Sequence, residues 1–465
     1  MSSDALLLGG GLAVAAAAAL VSLRNWRWPV YGLLLYLPVS GLPILALYPE
    51  TAPGVLAKDF LFVIPAYVAF LAWALRRRVR IDFPGAPTAL LVMLGLLVAL
   101  QALNPALPNL LVGAIGVKVW LLYIPLYFLA YHLVRDRDEL FRVLGLVSLA
   151  ALVPALVGIA EAVLFRSGQA EFVYGLYGDA AAAATQNFTA LQLEGGGVLR
   201  RVPGTFSSWT QYYAFAVTMV AVTYAWWRGS LAGTRYGLAG LGVWLTMVSA
   251  ALLSGARVAF VAVPAVIALA FLLERGFRPG GLSGLVRRLV VPVAALAAAV
   301  TLLGLGVSEL VRETAWKARL EFTETFLGRF GQATELTLGG FGTGIDTIAS
   351  RYAYSRQELF PAVEGTWYES WFVKVVLELG IPGLVLVLSV FAVILFRGFD
   401  AHRRLRDPRL RAVSAAILAF LVLNVLAAVT KPYIDLDPVN VLFWFLAGLL
   451  ARLPSLDTSR EAPAR

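Results

Sequence analysis

One feature constrains this chain more than any other: between Ala5 and Leu450 it returns repeatedly to apolar runs of about 18 residues or more, each able to cross a ~30 Å hydrocarbon layer. Hydrophobic residues make up 60% of the sequence and charged residues only 14%, which excludes a water-soluble globule. Thirteen runs are bounded by charges or by Pro and Gly: 5–23, 29–48, 56–75, 86–103, 114–134, 143–165, 209–227, 236–254, 258–274, 289–307, 371–396, 412–430 and 438–451. No repeat or linker separates them, so residues 1–465 read as a single all-α, polytopic transmembrane bundle. The run Leu6–Leu23 lacks a basic start and a cleavage site and reads as a retained span.

The formal charge of +10 would suit a nucleic-acid partner if the cations clustered on one surface, but they follow the spans. Arginines crowd alternate connections: Arg24 and Arg27; Arg76 to Arg80; Arg135 to Arg142; Arg228 and Arg235; Arg275 to Arg288; and Arg397 to Arg411. Lys and Arg in short loops mark the cytoplasmic face. The pattern therefore predicts a multi-pass membrane protein with its C-terminus inside and no nucleic-acid partner. Thirteen spans put the N-terminus outside; twelve are the alternative, because few residues join the first pair. With no cysteine there is no disulfide, thiolate metal site or cysteine nucleophile.

Two connections are long, 166–208 and 308–370, and both fall on the outer side, where loops carry function. The stretch Glu309–Arg329 is rich in helix formers and precedes the glycine-dense Gly339–Gly344, which predicts a partly helical periplasmic cap. All five lysines, Lys58, Lys118, Lys317, Lys374 and Lys431, lie on that side, joined by arginines that include Arg200, Arg201, Arg257, Arg312, Arg319 and Arg351. Cations placed against the positive-inside bias have two readings. They pair with acids such as Asp59, Glu369, Asp435 and Asp437, or they hold an anionic substrate, a diphosphate on a membrane lipid. His132 and His402 fall near the inner side, and no metal cluster or nucleotide loop occurs, so no cofactor is expected.

Four short elements carry a resemblance: Arg201-Val202-Pro203-Gly204-Thr205-Phe206, Ser254-Gly255-Ala256-Arg257, Phe341-Gly342-Thr343-Gly344 and Glu378-Leu379-Gly380-Ile381-Pro382-Gly383. In their order and spacing they resemble the R-x-x-G-T-F, S-x-x-R, F-G-x-G and E-x-G-x-x-G elements of the O-antigen ligase/polymerase superfamily. The resemblance implies a GT-C-like glycosyltransferase acting at the periplasmic face on an undecaprenyl-diphosphate-linked glycan, in surface polysaccharide or lipopolysaccharide synthesis, with a chain-length regulator as a possible partner. It implies that Arg257, with Arg201, holds the diphosphate; Arg257 and Glu369 are the catalytic candidates, Glu369 reading either as a catalytic carboxylate or as a first-turn acid matched to the helix dipole. Arg201 would hold the diphosphate, with Arg200, Lys374, Arg312, Arg319 and Arg351 as further cations for it. Ligases of the superfamily place a histidine nine residues before the glutamate of the E-x-G element. Glu369 stands there in this chain, which resembles the polymerases instead. The alternatives are a ligase transferring glycan to lipid A core or another acceptor, and a lipid-linked oligosaccharide flippase.

Overall fold

The computed structural model describes residues 16–82, 86–178, 190–192, 198–275, 326–347, 350, 354 and 370–458. The expected segments at 276–325 and 355–369, and most of the run 5–23, lie outside the described residues. The fold is all-α, with one short antiparallel ladder pairing Ala190–Gln192 with Val198–Arg200. Among the described residues six helices are long and apolar enough to cross a membrane: Ala52–Arg77, Leu110–Leu133, Arg137–Arg166, Trp371–Arg404, Pro408–Ala427 and Asp437–Asp457. Their outward faces carry large apolar side chains, with Leu75 78%, Leu110 71% and Phe396 74% exposed, as a surface facing hydrocarbon requires.

Helices also form at 209–227, 236–254 and 258–274, as Trp209–Trp226, Gly237–Leu253 and Ala259–Arg275. The run 29–48 departs from expectation. It breaks into Arg27–Tyr36, a 3-10 turn at Leu37–Val39 and Gly41–Ala46, because Pro38 lacks the N–H that would continue an α ladder.

The contacts divide the chain into two compact units, 1–82 with 132–263 and 83–131 with 264–465. In the first, Trp209–Trp226 is the central helix, buried along almost its whole length and packed by Gly237–Leu253 and Arg137–Ala150. Small residues permit these approaches: a Cβ at Gly145 would lie 2.8 Å from the Trp226 indole. One end is tied by Arg27, whose guanidinium meets Glu139 at 2.5 Å. Asp136 caps the same helix, accepting from the Glu139 N–H at 2.8 Å.

In the second unit the buried helices Pro408–Ala427 and Asp437–Thr458 pack against Trp371–Arg404. This last helix, expected to be unbroken, is interrupted at Gly380, whose φ of 71° and ψ of −173° only glycine adopts readily. Pro382 has no N–H to offer the carbonyl of Glu378, and the Ile381 N–H is turned away to the Leu338 carbonyl at 2.9 Å. The freed carbonyls of Leu377 and Glu378 instead accept from the N–H groups of Phe341 at 2.7 Å and Gly342 at 3.2 Å. Two motifs far apart in sequence thus form one backbone joint. A Cβ at Gly380 would sit 2.5 Å from the Gly339 backbone. Gly380→Ala is expected to cost about 2 kcal/mol or more from backbone strain alone and to lower the unfolding midpoint in detergent by several degrees; an unchanged midpoint would contradict the joint.

Candidate functional site

In the first unit the elements carrying Arg201 and Arg257 meet. The chain leaves Val198–Arg200 and runs directly against the Ser254–Arg257 turn, where the Val202 N–H donates to the Ser254 carbonyl at 3.0 Å. Gly255 has a φ of 75°, and any Cβ there would collide with the Arg200 carbonyl oxygen, so the S-G-x-R turn needs glycine both for its conformation and for this contact. The R-x-x-G-T-F and S-x-x-R elements, separated by a whole helical hairpin in sequence, are therefore neighbours. Arg201 and Arg257 are both partly buried.

The tandem arginines diverge, as consecutive side chains at a strand end do. Arg200 turns to an aromatic shelf, donating to the Tyr174 hydroxyl at 2.8 Å with its guanidinium 5.9 Å from the Phe165 ring centre. Arg201 places its guanidinium carbon 3.9 Å from the Trp209 ring centre, a cation–π contact. Trp209 opens the central helix, which Ser208 caps by accepting from the Gln211 N–H.

Beneath the two arginines the turn is pinned from below. Gly204 takes a φ of 57°, and its N–H donates to Glu161 Oε2 at 2.8 Å. The other oxygen of Glu161 accepts from the Tyr177 hydroxyl, which also lies 2.7 Å from the Gly204 carbonyl. Burial first, and then the neighbouring Glu161, push the Tyr177 phenol upward, so it stays a donor. Thr205 donates its hydroxyl to the Pro38 carbonyl inside the interrupted segment 27–46, and a Cβ at Gly41 would collide with the Phe206 backbone. Lys58, at the end of the neighbouring helix, is 2% exposed and lies 3.5 Å from Asp59.

Lys374, in the second unit, is 2% exposed and forms an ion pair with Asp435. The same carboxylate accepts from Trp371 Nε1 at 2.7 Å, and the Lys374 ammonium sits 5.0 Å over the Trp120 ring. Pairing with an acid, one of the two readings of the outer cations, thus describes Lys374, and its charge is already matched. Glu378 of the E-x-G element is fully buried and accepts three hydrogen bonds, from Trp120 Nε1 at 2.6 Å, the Asp346 N–H at 3.0 Å and the Thr347 hydroxyl at 3.1 Å. It secures the chain that follows the F-G-x-G turn. Glu369, Arg312, Arg319 and Arg351 lie outside the described residues.

Glu161, Tyr177 and Trp209 are missing from the sequence-derived set. The available signal was a lone carboxyl within the apolar run 143–165, since an ionisable residue at membrane depth is a candidate by default. Among the described residues no three His, Cys, Asp or Glu side chains gather as a metal would require. Comparison with protein-family models and with curated proteins returns no match.

Removing Lys374 would leave the buried Asp435 carboxylate without its paired cation. Lys374→Met is expected to destabilise by about 3–5 kcal/mol, and the double change Lys374→Met with Asp435→Leu to recover most of that loss; equal loss in the single and double variants, by unfolding in detergent, would contradict the pairing role.

Proposed function

We propose that the junction of Arg201 and Arg257 grips the diphosphate of a lipid-linked glycan, and that the protein is a membrane glycosyltransferase. On this reading it polymerises undecaprenyl-diphosphate-linked repeats at the outer face of the inner membrane. The observation that carries it is the Val202 to Ser254 hydrogen bond, which puts the two arginine-bearing elements side by side. A guanidinium resting against an indole is restrained in where it stands, and Arg201 together with Arg257 would match the paired charges of a diphosphate.

In the reaction, an acceptor sugar hydroxyl attacks the anomeric carbon of the donor. The bond from that carbon to the diphosphate oxygen breaks, and the hydroxyl proton passes to a base. Arg201 and Arg257 stabilise the charge that develops on the departing diphosphate, a contribution of the oxyanion-stabilising kind. Glu369 is assigned the base on the strength of the resemblance, and such help is worth roughly 10²–10⁴-fold. Single displacement inverts the anomeric centre. Because the diphosphate is a good leaving group, no metal or nucleotide is required. Lys374 is left out of the diphosphate set, since Asp435 already holds it.

Transport is the rival, and the break at Gly380 is the feature that speaks for it, because interrupted helices line substrate paths in carriers. There, however, the freed carbonyls face the substrate. Here those of Leu377 and Glu378 are taken by Phe341 and Gly342.

With purified lipid-linked repeats, wild type is expected to build a polymer ladder. Arg257→Ala should weaken donor binding by about 10- to 100-fold, the loss of a charge-assisted contact, and Glu369→Gln should slow turnover with donor binding kept. Unchanged donor binding in Arg257→Ala would remove the diphosphate role, and full activity in Glu369→Gln would remove the base.

A further inference from the structure

We propose that Glu161 and Tyr177 form a latch that sets the position of Arg201, making Glu161 a positioning residue for the diphosphate grip; this rests on the reading of the function given above. The helix Leu152–Arg166 is otherwise apolar along the stretch 152–160, yet Glu161 lies within it only 4% exposed. A carboxyl group at such depth costs several kcal/mol unless its oxygens are engaged. Among the described residues Glu161 forms no ion pair with a cation. Both its oxygens go to one place, the Gly204 turn. Oε2 takes the Gly204 N–H at 2.8 Å, Oε1 takes the Tyr177 hydroxyl, and that hydroxyl reaches the Gly204 carbonyl at 2.7 Å. Glu161 thus holds the Gly204 N–H, while the single proton of its phenol partner lies between Oε1 and the Gly204 carbonyl.

The clamped residue is three positions after Arg201, and its left-handed conformation determines the direction in which the preceding chain arrives. Space around it is already filled: a Cβ at Gly204 would lie 2.6 Å from the Tyr212 ring, and one at Gly158, a turn before Glu161, would collide with the Tyr212 hydroxyl. The turn is thus fixed at Val202 by Ser254, at Gly204 by Glu161 and at Thr205 by Pro38. Arg201, immediately before these three ties, keeps its guanidinium over Trp209 at 3.9 Å. If the tie at Gly204 is lost, the turn can rotate about the remaining two and carry Arg201 off the indole. The Trp209 ring then acts as a built-in reporter of where Arg201 stands.

The test uses the full-length protein in detergent or nanodiscs and compares Glu161→Ala, Glu161→Gln and Tyr177→Phe. A glutamine keeps an oxygen for the Gly204 N–H and supplies an amide N–H to Tyr177, so Glu161→Gln should stay within about threefold of wild type. Glu161→Ala should raise the donor KM by about 10- to 100-fold, the range for one or two lost buried hydrogen bonds, while kcat changes much less. Tyr177→Phe should give a smaller rise in the same direction and covers the case in which Glu161→Ala does not fold. Trp209 emission, taken as the difference between each protein and its Trp209→Phe counterpart, should shift in Glu161→Ala and not in Glu161→Gln, without any substrate present. An unchanged donor KM in both Glu161→Ala and Tyr177→Phe, or a Glu161→Gln as impaired as Glu161→Ala, would overturn the latch. If wild type neither polymerises lipid-linked repeats nor binds a polyprenyl diphosphate, the functional reading falls instead. The Trp209 signal then decides the latch alone: a shift in Glu161→Ala supports it and an unshifted spectrum overturns it.

Discussion

A backbone carbonyl in hydrocarbon has no water to turn to, and each interruption of a helix in this chain must bring its own hydrogen-bond partner. That constraint organises the structure. At Gly380 and Pro382 the helix gives up two intrahelical bonds, and the segment Leu338–Gly342 arrives to replace them. At Leu37–Val39 the carbonyl of Pro38 takes the Thr205 hydroxyl. At Gly204 the turn is satisfied by Glu161 from a neighbouring helix. In each case a long connection is docked onto the helices through polar groups that would otherwise be stranded, and the long connections hold the candidate chemistry.

Glycine makes the docking possible. Gly41 admits the Phe206 backbone, Gly255 admits Arg200, Gly340 admits Gly380, and Gly380 admits Leu338 and Gly339. The motif positions that carry the family resemblance therefore divide by role. Their glycines let backbones approach, and Glu378 is consumed by three hydrogen bonds that hold the chain after the F-G-x-G turn. The backbone segments that carry the arginines of the first two motifs, by contrast, are brought to a common junction, and both arginines are partly buried. The diphosphate proposal draws on that division between glycines that let backbones approach and the two arginine-bearing segments that meet.

Much of the helical layout was legible because long apolar runs leave little choice of structure: the expected span 236–254 forms as Gly237–Leu253, and 209–227 as Trp209–Trp226. The break at Gly380 was written in Gly380 and Pro382, yet its meaning depended on residues forty positions earlier. Lys374 could not be matched to Asp435 rather than Asp437 or Glu369 by inspection, since pairing across helices is set by packing. Glu161 was passed over because a single acid in an apolar run carries no pattern of its own. Only the fold shows that its two oxygens converge on the turn after Arg201.

Photolabelling measures the central claim most directly. A polyprenyl diphosphate bearing a photoreactive group next to the phosphates, irradiated with the protein in nanodiscs and mapped by mass spectrometry, should mark the peptides that contain Arg201 and Arg257, and excess unlabelled diphosphate should erase the marks. Labelling confined to the arginine-rich connections at 76–80 and 403–411, or spread evenly along the helices, would contradict the account.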